Sequence, residues 1–194
     1  MGRRPGRRMS VTDNESAAAR AFWAEGEQVV PALRIRPPEN ATEQALLGWM
    51  NMHITMEREA NRPISGWAYR SVFELVLEHG RWFNPVSLPA AIPRGPEREC
   101  FHNAAAIERA HPHLRYVEGF AIVTGSPVAT AHAWCTDGDG NAIDPTWTEL
   151  GEDTAYFGIP LAPTLRPNPR FSSGVLERPE TLYPLLQDGL TAST

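Results

Sequence analysis

The stretch that decides the fold spans residues 99 to 147 and reads ECFHNAAAIERAHPHLRYVEGFAIVTGSPVATAHAWCTDGDGNAIDPTW. Its alanine-rich start predicts a helix from Cys100 to about Ala110, which His111-Pro112 terminates. The rest predicts strands near 115–123, 128–136 and 141–145, and TAYFGIPLA (residues 154–162) predicts one more, near 154–161. These elements, with the helices of the first 80 residues, predict an α+β domain in which helices pack on an antiparallel sheet of four or five strands.

Three residues in this stretch have the chemistry of a thiol nucleophile with its base and its orienting carboxylate: Cys100, His132 and Asp144. A helix N-terminus favours a thiolate at Cys100, and the Cys100 amide can contribute to an oxyanion hole. The alternatives are a buried inert cysteine, a structural strand histidine and a turn-capping aspartate. Polar neighbours, among them His102 and Asn103, argue against a wholly apolar environment for the thiol.

Strand alternation places His132 and Trp134 on one face, and Cys135 on the other. Cys135 and His132 therefore cannot share a metal, and we expect neither metal nor cofactor. A three-residue loop with a glycine bulge near Gly140 would pair residue 137 with residue 141 and set Asp144 diagonal to His132. We therefore expect that register in the hairpin.

Four segments in this order resemble the transglutaminase-like branch of the papain-like cysteine hydrolases: Cys100 with Ala104 and Ala105, YVEGFA (116–121), HAW (132–134) and DPT (144–146). The resemblance implies a papain-like core, with the nucleophile at a helix N-terminus, and a Cys100-His132-Asp144 triad. Two positions depart from the family: Arg98 stands where glycine is common, and residues 141–143 lack the usual tryptophan. These departures favour hydrolysis or a small acyl transfer over protein crosslinking.

The leading hypothesis is a cysteine-dependent hydrolase or acyltransferase acting on an amide or peptide-type bond. Its substrate would be a peptide, a protein or a small amide. Candidate substrate-contacting or oxyanion-stabilising residues are Trp134, Trp82, Asn84 and Asn103. One alternative is a leader-peptide protease or modifying enzyme of a peptide-processing pathway. Another is a non-catalytic binding module that retains the fold.

The rest of the chain predicts one domain at residues 13–194, with a helical scaffold at 13–80 and a catalytic core at 99–162. Residues 1–12 predict a disordered basic arm, and Met9 is a possible start. The scaffold holds a helix from Thr12 to Pro31, a second helix capped by Asn40, and a third from Gly66 to His79 capped by Ser65. Residues 81–98 predict a wrapping loop, residues 165–178 another loop, and residues 180–186 a short closing turn.

The composition bounds the function further. The chain has 194 residues, a net charge of −5 and two cysteines. This acidic balance argues against nucleic acid as a partner, apart from a weak contact through the N-terminal arginine arm. Two cysteines predict no disulfide framework, and a chain without a membrane-length apolar run predicts a cytoplasmic protein without a membrane partner. The oligomeric state stays open.

Overall fold

A computed structural model describes residues 35–60, 64–147 and 154–190. The predicted basic arm and the predicted first helix lie outside these residues. Within them the chain is α+β, with four helices and five strands. The helices are α1 (Ala41–Glu59), α2 (Val72–His79), α3 (Cys100–Ala110) and α4 (Pro179–Asp188), and the strands are β1 (Arg81–Pro85), β2 (Arg115–Val123), β3 (Thr130–Thr136), β4 (Asn141–Ile143) and β5 (Thr154–Pro160).

The sheet is mixed and closes into a barrel in the order β1-β4-β3-β2-β5. The four predicted strands are present, but the expectation of a purely antiparallel sheet is wrong. Strand β1 runs antiparallel to β5 and parallel to β4, so it joins the two edges of an otherwise antiparallel sheet. Closure leaves each strand with two neighbours, which satisfies backbone groups that an open edge would expose.

Strand β1 falls in the segment predicted to be a loop. Its buried residues Trp82 and Phe83 precede Pro85, and Pro85 ends the strand because proline has no amide hydrogen for a ladder. Because this short strand ends in a proline-rich segment, its sequence shows no periodic pattern that would predict a strand. The segment from residue 86 to residue 99 is irregular and leads the chain to α3.

Helix α1 begins where the sequence predicts. The Asn40 side chain accepts a hydrogen bond from the amide of Glu43 at 2.9 Å, and Leu46, Met50 and Ile54 form the buried stripe. Helix α2, however, starts at Val72 and not at Gly66. Its cap is Ser71, whose hydroxyl accepts from the Glu74 amide at 3.3 Å.

The reason for the late start of α2 is a backbone contact with the chain end. The amides of Ala68 and Tyr69 donate to the carbonyl oxygens of Gln187 and Leu186, at 3.2 and 3.0 Å. The amides of Ala68 and Tyr69 therefore donate outside any helix. Gly66 also has a left-handed φ of 89°, which is not a helical value. The closing turn predicted at residues 180–186 is the larger part of α4.

The hairpin between β3 and β4 has the predicted register. Cys135 lies opposite Ile143 and Thr136 opposite Ala142, and Gly140 has the left-handed φ of 81° that the bulge requires. The same pairing, continued, sets Asp144 opposite Trp134. Side chains of β3 alternate as expected: Trp134 fills the barrel interior, whereas Ala133 and Cys135 face outward against α3.

Candidate functional site

Cys100, His132 and Asp144 meet at one end of the barrel. Nε2 of His132 lies 2.7 Å from Oδ2 of Asp144, and the Cys100 side chain lies beside the same imidazole. Since Asp144 occupies Nε2, the nitrogen that serves the thiol is Nδ1. This is the order that a thiol nucleophile, its base and an orienting carboxylate require.

Three hydrogen bonds besides the one with His132 hold the Asp144 carboxylate. Its Oδ1 accepts from the amides of Thr146 and Trp147, at 2.8 and 3.0 Å, and its Oδ2 also accepts from the Tyr156 hydroxyl at 2.8 Å. Only 3% of Asp144 is exposed. Burial opposes ionisation, but the His132 charge and these hydrogen bonds lower the pKa of Asp144 below its usual range. The carboxylate is therefore ionised and fixed in direction.

His132 is likewise buried, with 1% of its surface exposed. Burial opposes protonation of the ring, yet the Asp144 carboxylate and the contact with Cys100 raise the pKa of His132 to about 9. Near neutral pH the imidazole is therefore protonated. Cys100 lies beside this imidazole as the first residue of α3.

The indole of Trp147 covers the imidazole of His132. The two ring centroids are 4.1 Å apart and the planes are 21° from parallel. The candidate site residues from the sequence do not include Trp147. Its position directly after the Asp144-Pro145-Thr146 segment could have identified it. Trp134, the tryptophan that the sequence predicts at the site, lies inside the barrel, with 6.3 Å between its ring centroid and that of His132.

Trp134 fits inside the barrel because the position on β5 that faces its ring is glycine. Gly119 and Gly158 pair across β2 and β5, and a Cβ on Gly158 would lie 2.7 Å from the Trp134 ring. The Trp134 ring also packs edge-on against Phe83. Its indole nitrogen is buried and has no hydrogen-bond partner within the described residues. Trp134 therefore packs behind His132 and outside the lining of the cavity described next.

A cavity of about 700 Å³ opens over the Cys100 and His132 side chains. Ligand sites in proteins commonly have volumes of this size. The walls come from the segment before α3, from the start of β3, from the end of the β4 segment and from the loop before α4. The lining residues are Arg94, Glu97, Arg98, Cys100, Phe101, Thr130, Ala131, His132, Thr146, Trp147, Ser172, Ser173 and Glu177.

Arg98, two residues before Cys100, has an unusual backbone. Its φ is 64°, the only left-handed value at a non-glycine residue in the described part of the chain. That conformation costs an L residue with a Cβ roughly 1 to 2 kcal/mol. The chain therefore places a charged side chain in a backbone conformation that favours glycine.

Asn103 ties the wall before α3 to the end of the β4 segment. Its amide nitrogen donates to the Pro96 carbonyl and to the Thr146 hydroxyl, each at 2.8 Å. Both donors are therefore used, and Asn103 is outside the cavity lining. Gly95 makes room for this side chain, since a Cβ there would lie 2.2 Å from Asn103 Cγ.

The other two candidates from the sequence lie on β1, outside the cavity lining. Trp82 packs edge-on against Phe157, and its indole nitrogen donates to the Arg36 carbonyl at 2.9 Å. Asn84 is exposed and pairs with Asn141 of β4. The donors available at the thiol are instead the first amides of α3. They receive no side-chain capping bond from the N-cap residue Glu99.

A buried carboxylate holds the cavity wall that precedes α4. Glu118 of β2, 1% exposed, accepts hydrogen bonds from the amides of Val175 and Leu176, both at 2.8 Å, and from the Tyr116 hydroxyl at 2.5 Å. These bonds fasten residues 172–177 to the barrel. No motif marked Glu118 in advance, although it lies within the quoted YVEGFA segment.

Two further properties of the described residues bear on function. In this part of the chain no three His, Cys, Asp or Glu side chains are grouped closely enough to hold a metal ion. A search of the same ranges for a helix with the length and hydropathy of a membrane span finds none.

Comparisons of the chain with protein-family models, with curated protein sequences and with solved structures find no match. The function is therefore inferred from the geometry of the site.

Proposed function

We propose that the protein is a cysteine-dependent hydrolase or acyltransferase that acts on an amide or peptide-type bond. The observation that carries the proposal is the buried chain of contacts from Cys100 through His132 to Asp144, at the floor of a cavity. The resemblance to transglutaminase-like enzymes supports the same chemistry. In this proposal Cys100 is the nucleophile, His132 the acid and base, and Asp144 the orienting carboxylate.

Acylation begins when the Cys100 thiolate attacks the substrate carbonyl carbon. A carbon–sulfur bond forms, and the carbonyl π electrons move onto oxygen. The backbone amide of Cys100, at the start of α3, donates a hydrogen bond to that oxyanion. As the tetrahedral intermediate collapses, the carbon–nitrogen bond breaks, the leaving nitrogen takes the proton from imidazolium His132, and a thioester with Cys100 remains.

Deacylation reverses these roles. Neutral His132 removes a proton from water, and the resulting hydroxide attacks the thioester carbonyl. The carbon–sulfur bond then breaks, the carboxylic acid product leaves, and the thiolate–imidazolium pair is restored. An amine that replaces water would give acyl transfer by the same steps. We favour water, since the cavity over Cys100 is open to solvent.

The experiment that tests the proposal measures alkylation of Cys100 by iodoacetamide at pH 6. We expect Cys100 to react faster than a free thiol, because the imidazolium holds it as a thiolate. Cys135 is the internal control. It is fully buried, its thiol donates to the Ala104 carbonyl at 3.2 Å, and burial raises the pKa of Cys135 to about 12. Peptide mapping by mass spectrometry separates the two adducts.

Two variants make the test specific. His132→Ala should slow alkylation of Cys100 at pH 6, while leaving Cys135 unreactive in the folded protein. Asp144→Asn should slow it less, because the imidazole stays in place but loses its ionic partner. If wild-type Cys100 reacts no faster than a free thiol at pH 6, the catalytic proposal fails, and a binding module that uses the same cavity becomes the better account.

A further inference from the structure

We propose that Arg98 is a specificity-determining residue that binds a carboxylate of the substrate beside the Cys100 sulfur. This inference rests on the proposed function, because it concerns the molecule that Cys100 attacks. The substrate class is then an acidic peptide or amide, which brings either a side-chain carboxylate or a terminal carboxylate into the cavity together with the reacting carbonyl group.

The first support is position. Arg98 precedes Cys100 by two residues, and both side chains line the cavity over the imidazole of His132. A guanidinium group stays charged at every pH at which a thiol enzyme works, and its planar donors match the two oxygens of a carboxylate. An acidic group held there would lie next to the bond under attack.

The second support is the state of the charged side chains around the cavity. Arg94 lies 4.0 Å from Glu97, and Glu177 accepts a hydrogen bond from the Gly174 amide at 3.1 Å. Arg98 is exposed, and none of the residues that the structure describes forms an ion pair or hydrogen bond with it. Among the described residues, Arg98 is therefore a cavity cation that is available to an anionic ligand.

The third support is the backbone of Arg98. A residue at φ 64° would be less strained as glycine, since glycine has no Cβ to clash with the neighbouring carbonyl. An arginine gains nothing for the fold from an exposed position in this conformation. Strained residues of this kind cluster at functional sites, where the side chain or its placement is used.

The test compares two alkylating reagents of similar size, anionic iodoacetate and neutral iodoacetamide. For each protein the ratio of their rates with Cys100 is divided by the same ratio for 2-mercaptoethanol. In the wild type we expect this normalised ratio to exceed one, because Arg98 attracts the carboxylate of iodoacetate. The preference should weaken as salt is raised.

Variants assign the preference to Arg98. Arg98→Gln should lower the normalised ratio about 3- to 10-fold at low ionic strength. Arg98→Lys should retain most of it. Arg98→Gly should lose the preference as fully as the glutamine variant while unfolding at a higher urea concentration, which separates the charge from the backbone strain. Arg109→Gln, an exposed charge change in the last turn of α3, should leave the ratio unchanged.

Three blocked tripeptides then identify the source of the carboxylate. Acetyl-Gly-Glu-Gly-amide carries only a side-chain carboxylate, acetyl-Gly-Gly-Gly carries only a terminal one, and acetyl-Gly-Gly-Gly-amide carries none. We expect one of the acidic peptides to protect Cys100 from iodoacetamide better than the neutral peptide does, and to lose that advantage in Arg98→Gln.

Several results would overturn the inference. They are an unchanged reagent ratio in Arg98→Gln, an equal or larger loss in Arg94→Gln, and equal protection by all three peptides. Each of these can occur while Cys100 still reacts rapidly with iodoacetamide, so the Arg98 inference can fail while the proposed function stands. Slow reaction of wild-type Cys100 with iodoacetamide would instead remove the proposed function itself.

Discussion

The indole of Trp147 stacks on the imidazole of His132, with 4.1 Å between the ring centroids. An aromatic face stabilises a cation that lies against it, and the ring also shields the imidazolium from water. In the proposed mechanism Trp147 is therefore a positioning residue that favours the protonated form of His132 beside Cys100.

Replacing Trp147 by alanine should therefore slow alkylation of Cys100 at pH 6, by about 3- to 10-fold, if the stacking is worth roughly 1 kcal/mol. Trp147→Phe should retain most of the rate. Trp67→Ala is the matched control, because Trp67 is partly buried against Tyr183 and is outside the cavity lining. A Trp147→Ala protein that is alkylated at the wild-type rate would contradict this role.

The Tyr156 hydroxyl donates to the same Asp144 oxygen that His132 contacts, at 2.8 Å. Tyr156→Phe removes this hydrogen bond but keeps the ring that fills the barrel. We expect the free energy of unfolding to fall by about 1.5 to 3 kcal/mol, as is usual for a lost hydrogen bond to a charged group. We also expect a lower alkylation rate at pH 6, because Asp144 is less well held.

Urea unfolding measures the first effect and iodoacetamide kinetics the second. Tyr183→Phe provides the control, since Tyr183 is 49% exposed on α4. Unchanged stability and unchanged kinetics in Tyr156→Phe would mean that the remaining Asp144 contacts suffice.

The contact between His132 and Asp144 should make stability depend on pH. The pKa of His132 is raised from 6.5 to about 9, so its contribution is complete below about pH 6.5 and is lost as the pH rises through about 9. The pKa of Asp144 is lowered from 3.8, so its contribution is present above about pH 4 and is lost in more acidic solution. The pair therefore stabilises the fold most between about pH 4 and pH 6.5.

His132→Gln removes this dependence. The difference in unfolding free energy between wild type and variant should shrink by roughly 2 to 3 kcal/mol from pH 6 to pH 9.5, as the shift in the pKa of His132 implies. Urea titrations at the two pH values measure it. A difference that stays constant across this range would show that the imidazole carries no linked proton.

Glu118 should control the order of residues 172–177. In Glu118→Gln one carboxylate oxygen becomes an NH₂ group, which cannot accept a hydrogen bond from the Val175 or Leu176 amide. We expect faster hydrogen exchange at one or both amides and a loss of about 1 to 3 kcal/mol in stability. Glu180→Gln, on exposed α4, should change neither quantity. If both amides keep their wild-type protection from hydrogen exchange in Glu118→Gln, this arrangement is contradicted.

The parts of the fold that the sequence predicts are those with a local signal. The β3 segment alternates in the sequence, and the aspartate-glycine turn determines the register between β3 and β4. That register in turn made the approach of Asp144 to His132 predictable. The N-cap of α1 followed from the spacing of Asn40 and Glu43 in the same way.

The remaining features depend on contacts between distant segments. Ser65 and Ser71 both offer a cap for α2, and Ser71-Val-Phe-Glu74 is itself a capping-box sequence, but the pairing of residues 68–69 with the end of α4 selects the later one. The sequence made Trp134 the predicted wall of the site, but barrel closure places Trp134 inside the barrel, and it is Trp147 that stacks on His132. The role of Glu118 likewise depends on a segment more than 50 residues away.

Barrel closure has a consequence for when the thiol becomes reactive. The parallel pair of β1 and β4 joins Asn84 to Asn141, and Asp144 follows β4 directly. Asp144 reaches His132 through the local β3–β4 hairpin, whereas Cys100 reaches it only when α3 packs on β3 of the closed barrel. Contacts between distant segments cost more loop-closure entropy than hairpins, so we expect a partly unfolded chain to hold Cys100 apart from its proposed base.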